Sequence, residues 1–305
     1  MKAIDIFCGI GGWSAGLASA GIDVVAAIDK WEGCKDTYTA NHLATRFILA
    51  DVLDVDPVEW RGIDVVVGSP PCQLFSVGNQ RRDPARGMEL VRAFERWIRA
   101  IRPRYWVMEN VAIIEGWLGG FYPVKHVLNC ADYGVPQARN RCFAGDFMVP
   151  AQTHAARAGT TLFGEKIDKH VTLRQAIAGT YDIPADAVMT DQFGTRPAAN
   201  SPYFSPDKPS RTVTSVGMRA VPMAAAFDKR AAEEPAAAYD KERYRPLTLD
   251  ELAKLQSFPA GYQLVGKPAD LVTGVANAVP PLMARALAAE IVRVESKLMQ
   301  GSERT

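Results

Sequence analysis

The chain has 305 residues, of which 48% are hydrophobic and 23% charged, and its net charge is +1. Such a composition argues against a disordered or low-complexity chain and leaves room for one large core plus a smaller second domain. The near-neutral balance means that any nucleic-acid contact must rest on local concentrations of arginine.

In chain order, residues 3–7 read as a strand, followed by the turn Cys8-Gly9-Ile10-Gly11-Gly12 and a helix through Ala20. Residues 24–28 form a second strand ending on Asp29, and residues 47–50 a third ending on Asp51. Residues 65–67 form a fourth, running into Gly68-Ser69-Pro70-Pro71-Cys72, and residues 105–108 a fifth ending on Glu109. Between the last two, Leu90, Val91, Phe94, Trp97, Ile98 and Ile101 make an apolar stripe at helical spacing, with Arg92, Glu95, Arg96 and Arg99 opposite. Pro103 stops that helix. Alternating short apolar runs and amphipathic stretches predict a mostly parallel sheet covered by helices. From about Pro150 glycine, proline, threonine and alanine rise and strands become hard to place. Helical patterning resumes at Leu249–Leu255, and residues 281–298 form a long final helix. The expected division is 1–149, a small irregular domain over 150–262, and a returning segment over 263–305.

Five cysteines without a C-x-x-C pair suit a reducing cytoplasm and give no zinc site, so no metal is expected. No signal peptide precedes the first strand, and no apolar run is expected to reach membrane-spanning length, so no membrane partner is expected.

Ligands of a doubly wound sheet bind along the edge where strands end. That edge carries the glycine turn, Asp29, Asp51, Cys72 and Glu109. The turn allows close backbone approach, and the helix start behind it favours a carboxylate, although the strict dinucleotide fingerprint is absent. Asp29 is placed to accept from a ribose diol and Asp51 from an adenine amino group. Either alone is more often a turn or cap residue; together they suggest an adenosyl cofactor. A lone cysteine is usually an inert small hydrophobe, but Cys72 follows two stiffening prolines at the ligand edge. Glu109, elsewhere a cap or surface ion pair, could hydrogen-bond a pyrimidine ring nitrogen and amino group. Arg139 and Arg141 lie on one side of an extended segment, suited to an oxygen acceptor and a carboxylate, or to a surface basic strand.

Six blocks, in order, resemble the motifs of DNA cytosine-5 methyltransferases. They are Asp5-Ile6-Phe7-Cys8-Gly9-Ile10-Gly11-Gly12, Ser69-Pro70-Pro71-Cys72-Gln73, Met108-Glu109-Asn110-Val111, residues 137–141, residues 245–259 from Arg245-Pro246-Leu247-Thr248 to Phe258-Pro259, and Ala276-Asn277-Ala278-Val279-Pro280. The resemblance implies an α/β fold: a Rossmann-like S-adenosylmethionine-dependent methyltransferase sheet with a smaller, irregular target-recognition domain. It implies that Phe7, Gly9, Gly11, Gly12, Asp29, Lys30, Trp31, Asp51, Val52, Pro70, Asn277 and Ala278 bind S-adenosylmethionine. Cys72 would attack a flipped-out cytosine, Glu109 would act at N3, Arg139 at O2, and Arg141 would orient Glu109. Asn277 would also brace the arginine segment and the domain junction. Gln73, Ser76, Arg81, Arg82, Arg86, Arg211 and Thr212 would contact double-stranded DNA. Residues 78–87 resemble the loop that closes over DNA, and residues 211–214 the family's Thr-Leu element. The implied protein is a cytoplasmic, nucleoid-associated monomer of the kind found in restriction-modification systems.

Some positions depart from the family. Asp29 stands where glutamate is frequent and Ala276 where glycine is usual, and whether Lys30 or Trp31 lies on adenine is open. After Val111 only residues 112–120 stand where the family has a full helix, so that helix is short or absent. A branch that methylates transfer RNA shares Ser-Pro-Pro-Cys-Gln, but the stretch 150–244 is longer than that branch needs, which favours DNA. Intact Cys72, Glu109, Arg139 and Asn277 argue against a catalytically silent binding protein.

Overall fold

Strand β4 (Val65–Gly68) is a run of valines buried on both faces, the pattern of a strand inside a parallel sheet. The computed structural model describes residues 1–71, 75, 83–161, 164–190, 203–215, 217–222 and 245–302. Around β4 lie β1 (Lys2–Ile6), β2 (Asp23–Asp29), β3 (Arg46–Leu49), β5 (Tyr105–Val111), β6 (Val124–Asn129) and β7 (Asn140–Asp146), in the order β3-β2-β1-β4-β5-β7-β6. Strands β1 to β5 pair in parallel, while β7 runs antiparallel to both β5 and β6.

Each face of the sheet is covered by an element whose sequence demands it. On one face lies α3 (Pro84–Ile101), which buries the whole predicted stripe and packs Val91, Phe94, Trp97, Ile98 and Ile101 with Ile4, Ile6, Val66 and Met108. Asp83 caps its start, and it ends at Arg102 with φ 54° ahead of Pro103. The other face holds α1 (Gly12–Ser19) and a C-terminal helix, Pro281–Ser302. These two approach so closely that a Cβ on Gly16 would sit 2.4 Å from the Ala284 Cβ.

Four elements differ from expectation. Helices α2 (Glu32–Asn41) and Pro268–Asn277 were not legible, the first because it is largely polar. Strand β7 continues the arginine segment, and β6, strand-like in sequence from residue 121, begins at Val124, after Phe121 and Tyr122 have packed on Trp106 with ring centroids 5.1 and 5.4 Å away. The short helix after β5 is a 3-10 turn, Ala112–Trp117. The expectation that no apolar stretch reaches membrane-spanning length is corrected. Residues Pro268–Gln300 are long and apolar enough, but 56% of the apolar window is buried inside the protein, and the helix starting at Pro281 spends its apolar side on α1.

Beyond β7 come two small sheets. One comprises β8 (His154–Ala155), β9 (Gly159–Thr160) and β10 (Lys166–Lys169); the other β11 (Ala187–Thr190), β12 (Tyr203–Phe204) and β13 (Arg219–Pro222). Between them α4 (Leu173–Ile177) starts with a capping box. After the second sheet come α5 (Leu249–Leu255), α6 (Pro268–Asn277) and α7 (Pro281–Ser302). Leu173, Met189, Val213, Leu255 and Val275 share a buried cluster with Ile10 and Cys34, so this part of the chain packs directly on the glycine turn.

Candidate active site

At the strand ends the chain encloses a cavity of about 380 Å³, lined by the glycine turn, residues 29–31, residues 69–71, Glu109 and the end of α6 with the residues after it. The turn is held open by left-handed backbone at Phe7 (φ 59°), Gly9 (φ 51°) and Gly11 (φ 92°), which is costly for phenylalanine and typical of ligand sites. Asp29 fastens it: Oδ2 accepts from the Gly9 N–H and Oδ1 from the Trp31 N–H, both at 2.8 Å. Burial raises the Asp29 carboxyl above the usual range. Each of its oxygens retains lone-pair capacity for a further donor.

Gly12 has no room for a side chain, since a Cβ there would lie 2.1 Å from the Val279 carbonyl oxygen. Gly12→Ala must therefore displace the backbone beside Asn277 and Ala278, which line the same cavity. Overpacking of this kind costs about 1–3 kcal/mol. The expected result is a lower denaturation midpoint together with weakened cofactor binding by titration calorimetry.

Beneath the turn, Asp5 is fully buried and accepts from Ser14 Oγ at 2.7 Å, while Ser14 also meets Tyr38 Oη at 2.7 Å. Desolvation, helped by nearby Asp29, lifts the Asp5 carboxyl to about 7. The folded protein thus holds a proton that the unfolded chain releases near pH 4, so the contribution of Asp5 to stability falls as pH rises from about 4 to 7 and is level above that. Asp5→Asn is expected to flatten this decline by up to a few kcal/mol, read from urea unfolding at pH 5 and pH 8.

On the opposite wall, Glu109 is 4% exposed at the end of β5. Val111 is the cross-strand partner of Arg141, which places Arg141 diagonally from Glu109 on one face. Its Nε lies 3.2 Å from Glu109 Oε1. Asn110 points the other way and donates to the Pro70 carbonyl at 3.0 Å, fixing the start of the proline pair. Arg139 is 2% exposed and donates from Nη2 to the Ala278 carbonyl at 3.3 Å.

The match to the family model described as C-5 cytosine-specific DNA methylase covers residues 1–116 and 118–293. The chain belongs to this family. The methylase is 29% identical over 316 residues to the type II methyltransferase M.HgiDI of Herpetosiphon aurantiacus, covering 95% of this chain and 94% of the relative. To M1.HphI of Haemophilus parahaemolyticus it is 30% identical over 344 residues, covering 96% and 87%. Among solved structures it shares its fold with a protein described as a DNA modification methyltransferase encoded within an E. coli prophage, with a TM-score of 0.66 at 19% identity over 97% and 99% of the two chains. It is a DNA cytosine-5 methyltransferase of the α/β class, and its family uses S-adenosylmethionine.

Within the methylase, Phe7, Gly9, Gly12, Asp29, Lys30, Trp31, Pro70, Glu109, Asn277 and Ala278 all line the one cavity. Gly11 lies in the turn but is not among the lining residues, its position facing His42 and Tyr262. Nor do Asp51 and Val52 line it. Asp51 pairs with Lys30 Nζ at 2.8 Å and accepts from the Leu53 N–H at 3.1 Å. Val52 is buried under α3, its carbonyl accepting from Arg96 and Trp97. Arg86 is exposed in the first turn of α3. Thr212 Oγ1 donates to the Ala138 carbonyl at 3.3 Å, and the Arg211 guanidinium lies 5.3 Å from the Phe204 ring. Cys72, Gln73, Ser76, Arg81 and Arg82 lie outside the described residues. Sequence reading missed Thr273 and Gly274 in the cavity wall, and the roles of Asn110, Gln137 and Gln256. Thr273 and Gly274 lie just before a motif block and the other three inside one, but a place in a motif says nothing of the partner.

Proposed function

We propose that the methylase acts on double-stranded DNA by drawing one cytosine into this cavity and adding the Cys72 thiolate to its C6. The observation that carries this reading is buried Glu109, paired with Arg141 and lining the same cavity as the glycine turn, with Pro70 and Pro71 also in its wall. Cys72 follows that proline pair directly.

The cavity fits S-adenosylmethionine. Its volume lies within the range of small-molecule sites, Asp29 offers carboxylate oxygens for a ribose diol, and Gly9 leaves open space beside it. With Lys30 held by Asp51, Trp31 is the side chain we assign to the adenine face. When bound, the cofactor supplies the methyl group.

The remaining chemistry belongs to the chain. Carbon 5 of cytosine is a weak nucleophile, and addition of the Cys72 thiolate at C6 makes it an enamine carbon. Glu109 supports that addition by hydrogen bonding or proton donation at N3, and Arg139 holds O2. Loss of the C5 proton and of Cys72 then restores the ring. Flipping the base costs a few kcal/mol, offset by contacts from Gln73, Ser76, Arg81, Arg82, Arg86, Arg211 and Thr212. We assign residues 1–149 and 263–305 to catalysis and 150–262 to target recognition, in a cytoplasmic monomer working on the nucleoid. Its type II relatives support a place in a restriction-modification system.

The reading is tested by expression in a host lacking cytosine methylation, with single-base conversion sequencing. Methylation at one short motif is expected. An unmethylated genome beside soluble, cofactor-binding protein overturns the DNA reading and turns attention to transfer RNA.

A further inference from the structure

Gln137 and Gln256 are completely buried polar side chains that the chemistry above does not use. Between them they join four segments, around residues 137, 213, 256 and 278. Gln137 Oε1 accepts from the Val213 N–H at 3.0 Å, and its Nε2 donates to Gln256 Oε1 at 2.5 Å and to the Leu255 carbonyl at 3.3 Å. Gln256 Nε2 then donates to the Ala278 carbonyl at 2.5 Å. That same carbonyl accepts from Arg139 Nη2.

The chain of bonds has only one workable direction. A backbone N–H at one end demands an acceptor, and a backbone carbonyl at the other demands a donor, so neither amide can be turned over without setting acceptor against acceptor. Residues 210–213 are fastened to the arginine segment by backbone bonds as well: Ala138 donates to the Ser210 carbonyl at 2.8 Å and Ser210 to the Pro136 carbonyl at 2.9 Å. Side chains two apart on an extended segment share a side, so Gln137 and Arg139 reach the residue 278 region together.

We infer that the Gln137–Gln256 amide pair is a positioning relay that registers the 210–213 segment to Arg139 through the Ala278 carbonyl. It rests on the reading of Arg139 given above. Neither glutamine touches substrate; both act through the arginine. The relay makes the placement of Arg139 depend on the placement of the segment that carries Arg211 and Thr212. Gln256→Glu is the informative change. It keeps the shape, removes the donor to Ala278, and puts a carboxylate beside the Arg139 guanidinium, drawing it off that carbonyl.

The test is single-turnover methyl transfer to unmethylated genomic DNA at saturating S-adenosylmethionine, with thermal midpoints recorded alongside. Gln256→Glu is expected to slow transfer about 10- to 100-fold, as small displacements of a positioned group do, while the DNA concentration dependence shifts less than about threefold. In an Arg139→Ala background the same substitution is expected to change the rate by less than about threefold, because groups acting as one unit are non-additive. Additive losses, or a lowered midpoint with an unchanged transfer rate, overturn the relay. A wild-type rate for Arg139→Ala alone also overturns it, leaving nothing to position. No transfer by the wild-type protein is the distinct result that defeats the reading of the site itself. If Gln256→Glu does not fold, Gln137→Met, which keeps the volume and removes the amide, carries the same cycle.

Discussion

Cys72→Ala is expected to abolish methyl transfer, by a factor on the order of 10⁴ or more, while cofactor affinity stays within about twofold of wild type. The two halves of that expectation have separate causes. Without a nucleophile at C6, carbon 5 keeps its aromatic electron distribution and cannot attack a methyl group, however well the reactants are aligned. The cavity we assign to the cofactor is lined mainly by other parts of the chain, the glycine turn, Asp29 and Trp31 on one side and Thr273, Gly274 and Asn277 to Val279 on the other. Cys8, Cys34, Cys130 and Cys142 cannot take over. All four are buried, and desolvation raises each thiol, away from the thiolate form. Single-turnover assays with labelled cofactor, beside calorimetric cofactor binding, check both halves. Residual transfer near the wild-type rate would remove Cys72 from the mechanism.

Glu109→Gln is expected to lower the transfer rate about 10²- to 10⁴-fold, the usual span for a positioned acid–base group. The substitution keeps the length and shape of the side chain but removes the charge that faces Arg141 at 3.2 Å. Arg141 is mostly withdrawn from solvent, its side chain 14% exposed, so losing the partner carboxylate also costs stability. Breaking a buried pair from one side typically costs about 3–5 kcal/mol, and the remaining exposure of Arg141 places the loss at the low end. Arg141→Lys tests geometry apart from charge. It keeps a cation but loses the planar fork set diagonally across β5 and β7, so a partial loss of rate is expected, smaller than for Glu109→Gln. Equal rates for Arg141→Lys and wild type would show that charge alone matters at Glu109.

What the sequence made legible, and what it hid, follows from the range of the interactions involved. Strands β1, β2, β4 and β5 were readable because a buried parallel strand must be apolar throughout, and α3 because a helix on a sheet must carry a stripe. Helix α2 hid its role: it packs only Cys34, Thr37 and Tyr38 inward and presents polar residues elsewhere. At the site, the glycine turn, Asp29 and Glu109 were legible because local sequence puts each at a strand end. Asp51 occupies a strand end too, yet β3 is the outermost strand of the sheet, and there Lys30 engages it. No local pattern distinguishes those two aspartates. The Gln137–Gln256 contact joins residues 119 apart in the chain, and neither residue's neighbours announce the other.

The cavity takes one wall from residues 7–31 and the facing wall from residues 273–279. These segments lie far apart in the order in which a ribosome delivers the chain. The glycine turn is made long before its facing wall, and its left-handed backbone must wait for residues 273–279. Closing so long a loop is an entropic cost met late in folding, which favours slow, topology-limited assembly. A nascent chain therefore lacks a complete cavity, and competence to modify DNA can arrive only once residues 273–279 have been made.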